Sequence, residues 1–194
     1  MSRIRLATPD DAHAIASIYA YYVANTPISF EVAPPSADEM RTRIKRTLQR
    51  FPYLVCEDGG RVVGYAYAGR HHERAAYDWS CEVSVYVDNG MHRRGIGRVL
   101  YAALLALLRR LGYYNALAGI TVPNDGSIGL HAAMGFRHAG LNRAVGYKDG
   151  RWWDVAYMET SLQETYPDAV APPLSIDDLR PAEIEAIIGS ATAV

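Results

Sequence analysis

The feature of this sequence that most limits its fold is a glycine loop between a predicted strand and a predicted long helix. The segment "SCEVSVYV" (80–87) is rich in β-branched residues, which is typical of a strand. The segment "RRGIGR" follows, and a helix of about residues 95–111 begins there and ends near Gly112. Free backbone N–H groups at a helix N-terminus bind phosphate, and glycine lets a ligand approach the backbone. The pattern therefore predicts an anion site.

Two common nucleotide loops do not fit the spacing of these glycines. A Walker loop has four residues between its glycines and a Lys-Ser/Thr pair after them, and both features are missing. A dinucleotide fingerprint needs a third glycine where this chain has Leu100, and a parallel strand ahead of it. We interpret the loop as a pyrophosphate site for another kind of ligand. An ordinary helix start with solvated arginines is the alternative.

Composition and charge exclude several classes of partner. The net charge of −1 over 194 residues argues against nucleic acid. No run reaches the roughly 18 apolar residues of a membrane span, so no membrane partner is expected. The two cysteines, Cys56 and Cys81, lie in apolar strand-like runs and are expected to be free thiols in a cytoplasmic protein. No residue spacing indicates a metal site.

Hydrophobic periodicity and turn signals predict a chain that alternates strands and helices. The further predicted strands are 4–7, the hairpin 53–69, 115–122, 135–141 and 153–162, and the further helices are 8–23, 36–50 and 124–134. This mixture of hairpins and crossovers indicates an α/β fold with a mixed sheet, in which 142–152 is a turn-rich connection. The tail 167–194 is expected to be a loosely attached extension, with a short helix between Pro181 and Gly189.

The glycine loop also carries a family resemblance. The segment "HRRGIG" (92–97) resembles the Q/R-x-x-G-x-G/A pyrophosphate loop of the GNAT superfamily of N-acetyltransferases, which bind acetyl-CoA. The resemblance implies a GNAT-type fold over residues 1–166: a mixed, mostly antiparallel sheet with splayed central strands, flanked by helices. The first loop position is usually Gln or Arg, and here it is His92. Because backbone amides do most of the binding, we expect this departure to have a modest effect.

Four further segments narrow the resemblance. "YAGRHHERAAYDWSCEVSVYV", "VPND", "LHAAMGF" and "AVGYKDGRWWDV" are similar to the phosphinothricin and methionine sulfoximine N-acetyltransferases. That family implies a small cytoplasmic homodimer that acetylates the α-amine of an amino-acid analogue, with acetyl-CoA as co-substrate and no metal. The alternatives left open are another small amine or a protein N-terminus as acceptor, and an acyl-CoA sensor without catalysis.

The resemblance implies which residues bind acetyl-CoA. In the family the strand that contains "VYV" (85–87) splays from its neighbour and pairs with the pantetheine arm through its main chain. An N–H group near Val85 or Tyr86 would then face the thioester carbonyl. The implied acetyl-CoA residues are Val85, Tyr86, Val87, Arg93, Arg94, Gly95, Ile96, Gly97, Arg98 and Asn124.

Acetyl transfer to an amine needs a base for the amine, a donor for the carbonyl and a proton for the leaving thiolate. Glu82 is the candidate base. It interrupts an apolar strand, and a carboxylate half-buried there is a stronger base than an exposed one. The resemblance gives Glu82 the same role, through a water. His131, seven residues after Asn124, is the candidate proton donor in its imidazolium form. A solvent-facing glutamate and a packing histidine are the alternatives.

The candidate substrate residues come from two loops. Arg74 could pair with a carboxylate or a phosphinate, because arginine donates two parallel hydrogen bonds to such groups. Ala75, Ala76 and Tyr77 would line the same wall, and Phe30 matches an aromatic residue of the family. The other candidates are His71 and His72 before Glu82, and Arg143 and Tyr147 from a second subunit.

Overall fold

The computed structural model describes residues 2–192, and seven strands form one sheet in the order β1-β2-β3-β4-β5-β7-β6. The strands are β1 Arg3–Leu6, β2 Tyr53–Asp58, β3 Arg61–Arg70, β4 Ser80–Val87, β5 Asn115–Val122, β6 Arg137–Lys148 and β7 Arg151–Ser161. The helices are α1 Ala12–Asn25, α2 Ala37–Leu48, α3 Ile96–Leu111, α4 Asp125–Ala133 and α5 Pro181–Thr192. Short 3-10 turns lie at Pro9–Asp11, Ala75–Tyr77, Asn89–Met91 and Ile176–Asp178.

The two central strands separate part of the way along the sheet. Strands β4 and β5 are parallel, and they pair at residues 80–82 and 115–117. Every other neighbouring pair of strands is antiparallel. Beyond Glu82 and Leu117 the two strands diverge and leave a cleft between them. The prediction of a mixed, mostly antiparallel sheet with splayed central strands is confirmed.

Alternation along the strands gives the sheet two apolar faces, and helices cover both of them. Tyr53 and Val55 of β2 pack with α1 and α2, where Ile15 and Ile44 are fully buried. Leu54 of β2, which faces the other way, packs with α3. The cleft between β4 and β5 therefore lies in a sheet that is supported from both sides.

Helix α3 has a glycine at each end, as the sequence predicts. Gly95 is the N-cap residue with a φ of 79°, and Gly112 is the C-cap residue with a φ of 87°. Both lie in the left-handed region that favours glycine. The N–H of Gly112 donates to the carbonyl groups of Arg109 and Leu108 and so closes the helix. The glycine loop and the helix start are thus fixed by local backbone geometry.

The expectation that the tail is loosely attached is wrong. Ile176, Leu179, Ile184 and Ile188 are buried in the same core as α3. The tail also docks through its backbone, since the N–H of Leu174 donates to the carbonyl of Leu111 at 2.8 Å. Burial of these aliphatic side chains offsets the entropy of ordering the segment. Helix α5 continues past Gly189, residues 193–194 lie outside the described residues, and the domain boundary at residue 166 stays a prediction.

The expectation of a turn-rich connection at 142–152 is also wrong. Strands β6 and β7 form a long hairpin whose turn is Asp149 and Gly150, with φ angles of 52° and 78°. The loop-like composition comes from a bulge in β6, where Ala144 has a φ of 46° and its N–H donates to Asp154 at 2.7 Å. A bulge of this kind interrupts the alternation by which a strand is recognised.

The described residues contain neither a membrane-spanning helix nor a metal-binding group of side chains. Within 2–192, no helix combines the length and the apolar character needed to cross a membrane. In the same part of the chain, no group of three His, Cys, Asp or Glu side chains is arranged to hold a metal ion.

Candidate active site

An outer cleft of about 480 Å³ opens where β4 and β5 have separated, beside the N-terminus of α3. Nine of the ten predicted acetyl-CoA residues line it: Val85, Tyr86, Val87, Arg93, Gly95, Ile96, Gly97, Arg98 and Asn124. Arg94 is the exception, since it lines a separate depression with Ser2 and Ile4. The glycine loop and the unpaired half of β4 therefore face one cavity, while Arg94 points to another part of the surface.

The backbone of the glycine loop is shaped to receive an anion. Arg93 and Gly95 both have positive φ angles, 61° and 79°. The first backbone bond of α3 runs from the N–H of Val99 to the carbonyl of Gly95 at 3.1 Å. The N–H groups of Ile96 and Gly97 therefore precede any acceptor within the helix. Because the space at Gly95 is open to 4 Å, a phosphate group can reach these amides.

His92 lines the outer cleft and also ties the glycine loop to its surroundings. Its Nε2 lies 2.8 Å from the hydroxyl of Tyr22, which itself donates to the carbonyl of Val87 at 2.5 Å. Since the tyrosine hydrogen is used on Val87, the His92 ring donates from Nε2. This links the loop, the end of β4 and helix α1, and it explains how histidine is accommodated at this position.

Asn124 closes the other side of the outer cleft at the start of α4. Its Oδ1 accepts a hydrogen bond from the N–H of Ser127 at 3.1 Å, so the side chain caps the helix. The capping bond fixes the orientation of the amide and leaves its NH₂ group as a donor. Gly126 and Ser127 line the cleft next to Asn124.

A smaller inner cavity of about 60 Å³ continues between β4 and β5 and contains His131. The ring is buried, with 3% of its surface exposed. Its Nδ1 lies 2.8 Å from the carbonyl of Ser127 and its Nε2 lies 3.0 Å from the hydroxyl of Tyr101. Because a carbonyl only accepts, Nδ1 carries the hydrogen, and Nε2 accepts from Tyr101.

Burial sets the charge of this pair. It lowers the pKa of His131 below its ordinary value of 6.5, and the bond to the Ser127 carbonyl offsets this only in part. Burial also raises the pKa of the Tyr101 hydroxyl well above its ordinary value. The resting pair is therefore a neutral histidine and a neutral tyrosine. This state disfavours the imidazolium that the sequence analysis assigns to His131.

Glu82 stands at the point where β4 and β5 diverge, as the last residue of β4 that pairs with β5. Its side chain is 53% exposed, and its Oε1 lies 3.0 Å from Nδ1 of His71. The residue opposite Glu82 on β3 is Gly69, where a β-carbon would meet no atom within 4 Å. The carboxylate thus has open space on one side and a histidine partner on the other, instead of an apolar pocket.

The predicted substrate wall is adjacent to the histidine partner of Glu82. The ring of Tyr77 lies 5.8 Å from the ring of His71, and Ala75 and Ala76 precede it in an exposed 3-10 turn. Arg74 is the N-cap of this turn and is exposed. The turn is therefore near Glu82, and its role in binding substrate stays a prediction.

The loop that carries Phe30 is fixed to strand β6. Phe30 packs on the backbone of Gly146, where a β-carbon would overlap its ring. The buried amine of Lys148 donates to three carbonyl groups of the same region, those of Val23 at 2.6 Å, Thr26 at 2.9 Å and Ser29 at 2.8 Å. Strand β6 thus determines where the 26–30 loop lies.

Several residues at the site are not predictable from the sequence pattern. Tyr22, Ile28 and Ser127 line the outer cleft, and Tyr101 lines the inner cavity. Of these residues, only Ser127 has a local signal in the sequence, which is the helix-capping segment Asn-Asp-Gly-Ser (124–127). Tyr101 lies among Leu and Ala in the helix sequence, a pattern that is as typical of a packed core residue as of a site residue.

Comparisons with known proteins agree with this geometry. A family model described as an acetyltransferase (GNAT) domain matches residues 4–157. The chain is 40% identical over 161 residues to a phosphinothricin N-acetyltransferase of Alcaligenes faecalis, and the match covers 82% of each chain. It is 35% identical over 168 residues to an L-methionine sulfoximine/L-methionine sulfone acetyltransferase of Salmonella typhimurium, covering 86% of this chain and 98% of the relative.

A solved structure also resembles this fold closely. The chain aligns with a GNAT superfamily phosphinothricin acetyltransferase from Sinorhizobium meliloti, solved in complex with acetyl-CoA, at a TM-score of 0.83 and 36% identity. The alignment covers 92% of this chain and 97% of that chain.

Proposed function

Because the chain belongs to the acetyltransferase (GNAT) family, we propose that it acetylates the α-amine of a small amino acid or analogue of the phosphinothricin, methionine sulfoximine or methionine sulfone type. It is an acetyl-CoA-dependent N-acetyltransferase, as its named relatives indicate. Beyond the family assignment, we propose the class of acceptor, the direct transfer of the acetyl group to the amine, and Glu82 as the general base. Its main support is that a helix N-terminal anion loop and a carboxylate border the same divergence of two strands.

The outer cleft fits the diphosphate and the pantetheine arm of acetyl-CoA. Open space at Gly95 and unpaired N–H groups at Ile96 and Gly97 suit the diphosphate. The unpaired part of β4 offers main-chain donors and acceptors to an extended arm, with Asn124 facing it from α4. When bound, acetyl-CoA supplies an acetyl group activated as a thioester.

Glu82 takes the proton of the amine, directly or through a water. An ammonium group has no lone pair, so the acceptor attacks only after it loses a proton. Glu82 stands at the divergence of β4 and β5, beside the open space at Gly69. The N–H groups near Val85 and Tyr86 are the proposed donors to the thioester oxygen, because β4 has no partner strand on that side.

The thiolate that leaves needs a proton, and His131 is the proposed source. It borders the inner cavity together with Tyr101 and Ser127. Because burial favours the neutral ring, His131 must first take up a proton before it can pass one to the thiolate. The proton that the nitrogen releases as the amide forms balances the one that the thiolate takes up.

The proposed substrate residues are Arg74, Ala75, Ala76, Tyr77 and Phe30. Arg74 is exposed beside the Tyr77 turn and can pair with a carboxylate or a phosphinate. Phe30 supplies an apolar wall from the loop that β6 holds. In this arrangement Arg74 would pair with an acidic side-chain group of the amino acid, and Phe30 would contact its apolar part.

We also propose a cytoplasmic homodimer. Val145, Tyr147 and Trp152 are more than half exposed on the β6–β7 hairpin, at the edge of the sheet, where a second copy would cover them. Arg143 and Tyr147 would then reach the partner's substrate loop. Both cysteines are free and buried, which suits a reducing compartment. Sedimentation at micromolar concentration should give twice the monomer mass, and a monomer would contradict the dimer.

The decisive test of the function is Glu82→Gln. We expect acetyl-CoA affinity within about twofold of wild type by calorimetry, and a loss of turnover of about a hundredfold or more in a free-thiol assay. The acceptor panel contains phosphinothricin, methionine sulfoximine, methionine sulfone, other amino acids and short peptides. The matched control is Glu164→Gln, an exposed glutamate far along the chain from the site, which should behave as wild type.

Each alternative function gives a different result in this test. Turnover of peptides without turnover of free amino acids would indicate a protein N-terminus as the acceptor. Binding of acetyl-CoA by the wild type without acetylation of any amine would indicate a sensor. Full activity of Glu82→Gln would remove Glu82 as the base.

A further inference from the structure

A hydrogen bond joins Glu82 to a histidine at the end of the neighbouring strand. Gly69 of β3 is opposite Glu82, and His71 directly follows Arg70, the last residue of β3. Its Nδ1 reaches Oε1 of Glu82 at 3.0 Å. The contact is visible only in the structure, because His71 lies beyond the last paired residue of β3.

The ring of His71 is held more firmly than an exposed side chain would be. Its side chain is 21% exposed, whereas that of Glu82 is 53% exposed. The ring of His72 lies 4.4 Å away in an edge arrangement, and the ring of Tyr77 lies at 5.8 Å. Two aromatic neighbours therefore restrict the imidazole, and the imidazole in turn restricts the carboxylate.

The nearby charges are paired with one another. Arg70 pairs with Asp78 at 3.4 Å and with Glu73 at 3.7 Å, and Arg50 also reaches Asp78 at 3.3 Å. Within the described residues, His71 is the hydrogen-bond partner of the Glu82 carboxylate. The groups that face the His71 ring are Glu82, His72 and Tyr77.

The bond has a chemical consequence for a base. Because a carboxylate only accepts, Nδ1 of His71 carries the hydrogen and donates it to Oε1 of Glu82. The bond fixes the orientation of the carboxylate and leaves Oε2 as an acceptor for the proton of the amine.

We propose that His71 is a positioning residue for Glu82, whose Nδ1–H holds the carboxylate in the orientation in which it accepts the proton of the amine. The proposal rests on the proposed function, in which Glu82 accepts the proton of the amine.

Two substitutions test whether a donor at position 71 is needed. His71→Asn keeps an N–H donor near the place of Nδ1, whereas His71→Ala removes the donor. At pH 8 we expect kcat of His71→Asn within about threefold of wild type and kcat of His71→Ala about tenfold lower. The KM for acetyl-CoA should be unchanged in both. The exposed control His13→Asn should match wild type.

A double substitution keeps the test valid if His71→Ala is less stable. In the Glu82→Gln background, His71→Ala should cost less than about twofold in kcat, because the partner it positions is gone. A full tenfold loss there would overturn the proposal. It would also be overturned if His71→Ala kept the wild-type kcat, or if the Asn and Ala variants lost activity equally.

These outcomes are distinct from failure of the proposed function. If Glu82→Gln is inactive while His71→Ala is unaffected, Glu82 stands as the base and His71 has no role in positioning it. If Glu82→Gln is fully active, the base assignment itself is wrong.

Discussion

Gly146 lies directly beneath the aromatic ring of Phe30, so closely that a β-carbon at position 146 would overlap ring atoms. Because Gly146 has no side chain, it leaves room for the ring of Phe30. The shape of the proposed substrate wall therefore depends on glycine at position 146. Lys148, two residues further along β6, fixes the same loop through three carbonyl groups.

Gly146→Ala should displace Phe30 and raise the KM for the amine about tenfold, with the KM for acetyl-CoA unchanged. Overpacking a close contact of this kind costs about 1–3 kcal/mol in the free energy of unfolding. Steady-state kinetics and thermal melting check both effects. The matched control is Gly140→Ala on the same strand, where a β-carbon meets no atom within 4 Å. A wild-type KM for the amine in Gly146→Ala would show that Phe30 does not contact the substrate.

Lys148→Met should lower the free energy of unfolding by at least about 2 kcal/mol, because it leaves three carbonyl groups without their donor. Urea titration measures the change. Lys45→Met, at an exposed position of α2, is the control and should change stability by less than about 0.5 kcal/mol. Equal stability of the two variants would contradict the importance of the buried amine for the loop.

His131 should make the protein less stable in mild acid. Its folded-state pKa lies below the ordinary 6.5, so below that pH the unfolded chain binds a proton that the folded chain resists. The contribution is constant above pH 6.5 and declines as the pH falls from 6.5 toward the folded-state pKa. Urea titrations of wild type and His131→Asn should show a difference in slope that approaches about 1.4 kcal/mol per pH unit in that window. Parallel slopes would mean that the ring is not held neutral.

Arg74→Ala should raise the KM for phosphinothricin about tenfold and the KM for methionine sulfone less than threefold, because only the first carries an anionic side-chain group that pairs with a guanidinium. Competition between the two acceptors in one reaction gives the ratio directly. Arg61→Ala, in the exposed β2–β3 hairpin, should leave the ratio unchanged. Equal increases for both acceptors would remove the anion-pairing role.

Local patterns in the sequence were enough to predict α3 with its glycine ends, the hairpin of β2 and β3 and the strand that carries Glu82. The divergence of β4 and β5 came from the family resemblance, because nothing in either strand alone says where pairing stops. The tail and the β6 bulge were misjudged, since burial of Ile184 against α3 and the turn at Ala144 are tertiary facts. Lys148 gave no signal, because its partners lie more than a hundred residues away.

The site residues were also predictable from the sequence only in part. The glycine loop and Asn124 line the outer cleft, whereas Arg94 lies outside it, and the binding of acetyl-CoA by these residues stays a prediction. The sequence could not show that Glu82 would be paired with His71 or that His131 would be buried against Tyr101. Both partners come from other elements of the fold, and a histidine in a loop or a helix has no pattern that names its partner.

The proposed function depends most on binding of the acetyl-CoA diphosphate by backbone amides at the start of α3, and calorimetry of substitutions at Gly97 tests this binding most directly. A β-carbon there meets Leu130 at 3.1 Å, so Gly97→Asn measures the steric effect alone, and Gly97→Asp adds a negative charge of the same shape. We predict that Gly97→Asp binds acetyl-CoA at least about tenfold more weakly than Gly97→Asn at low salt, because like charges repel at a helix N-terminus. Equal affinities of the two variants would show that the diphosphate lies elsewhere.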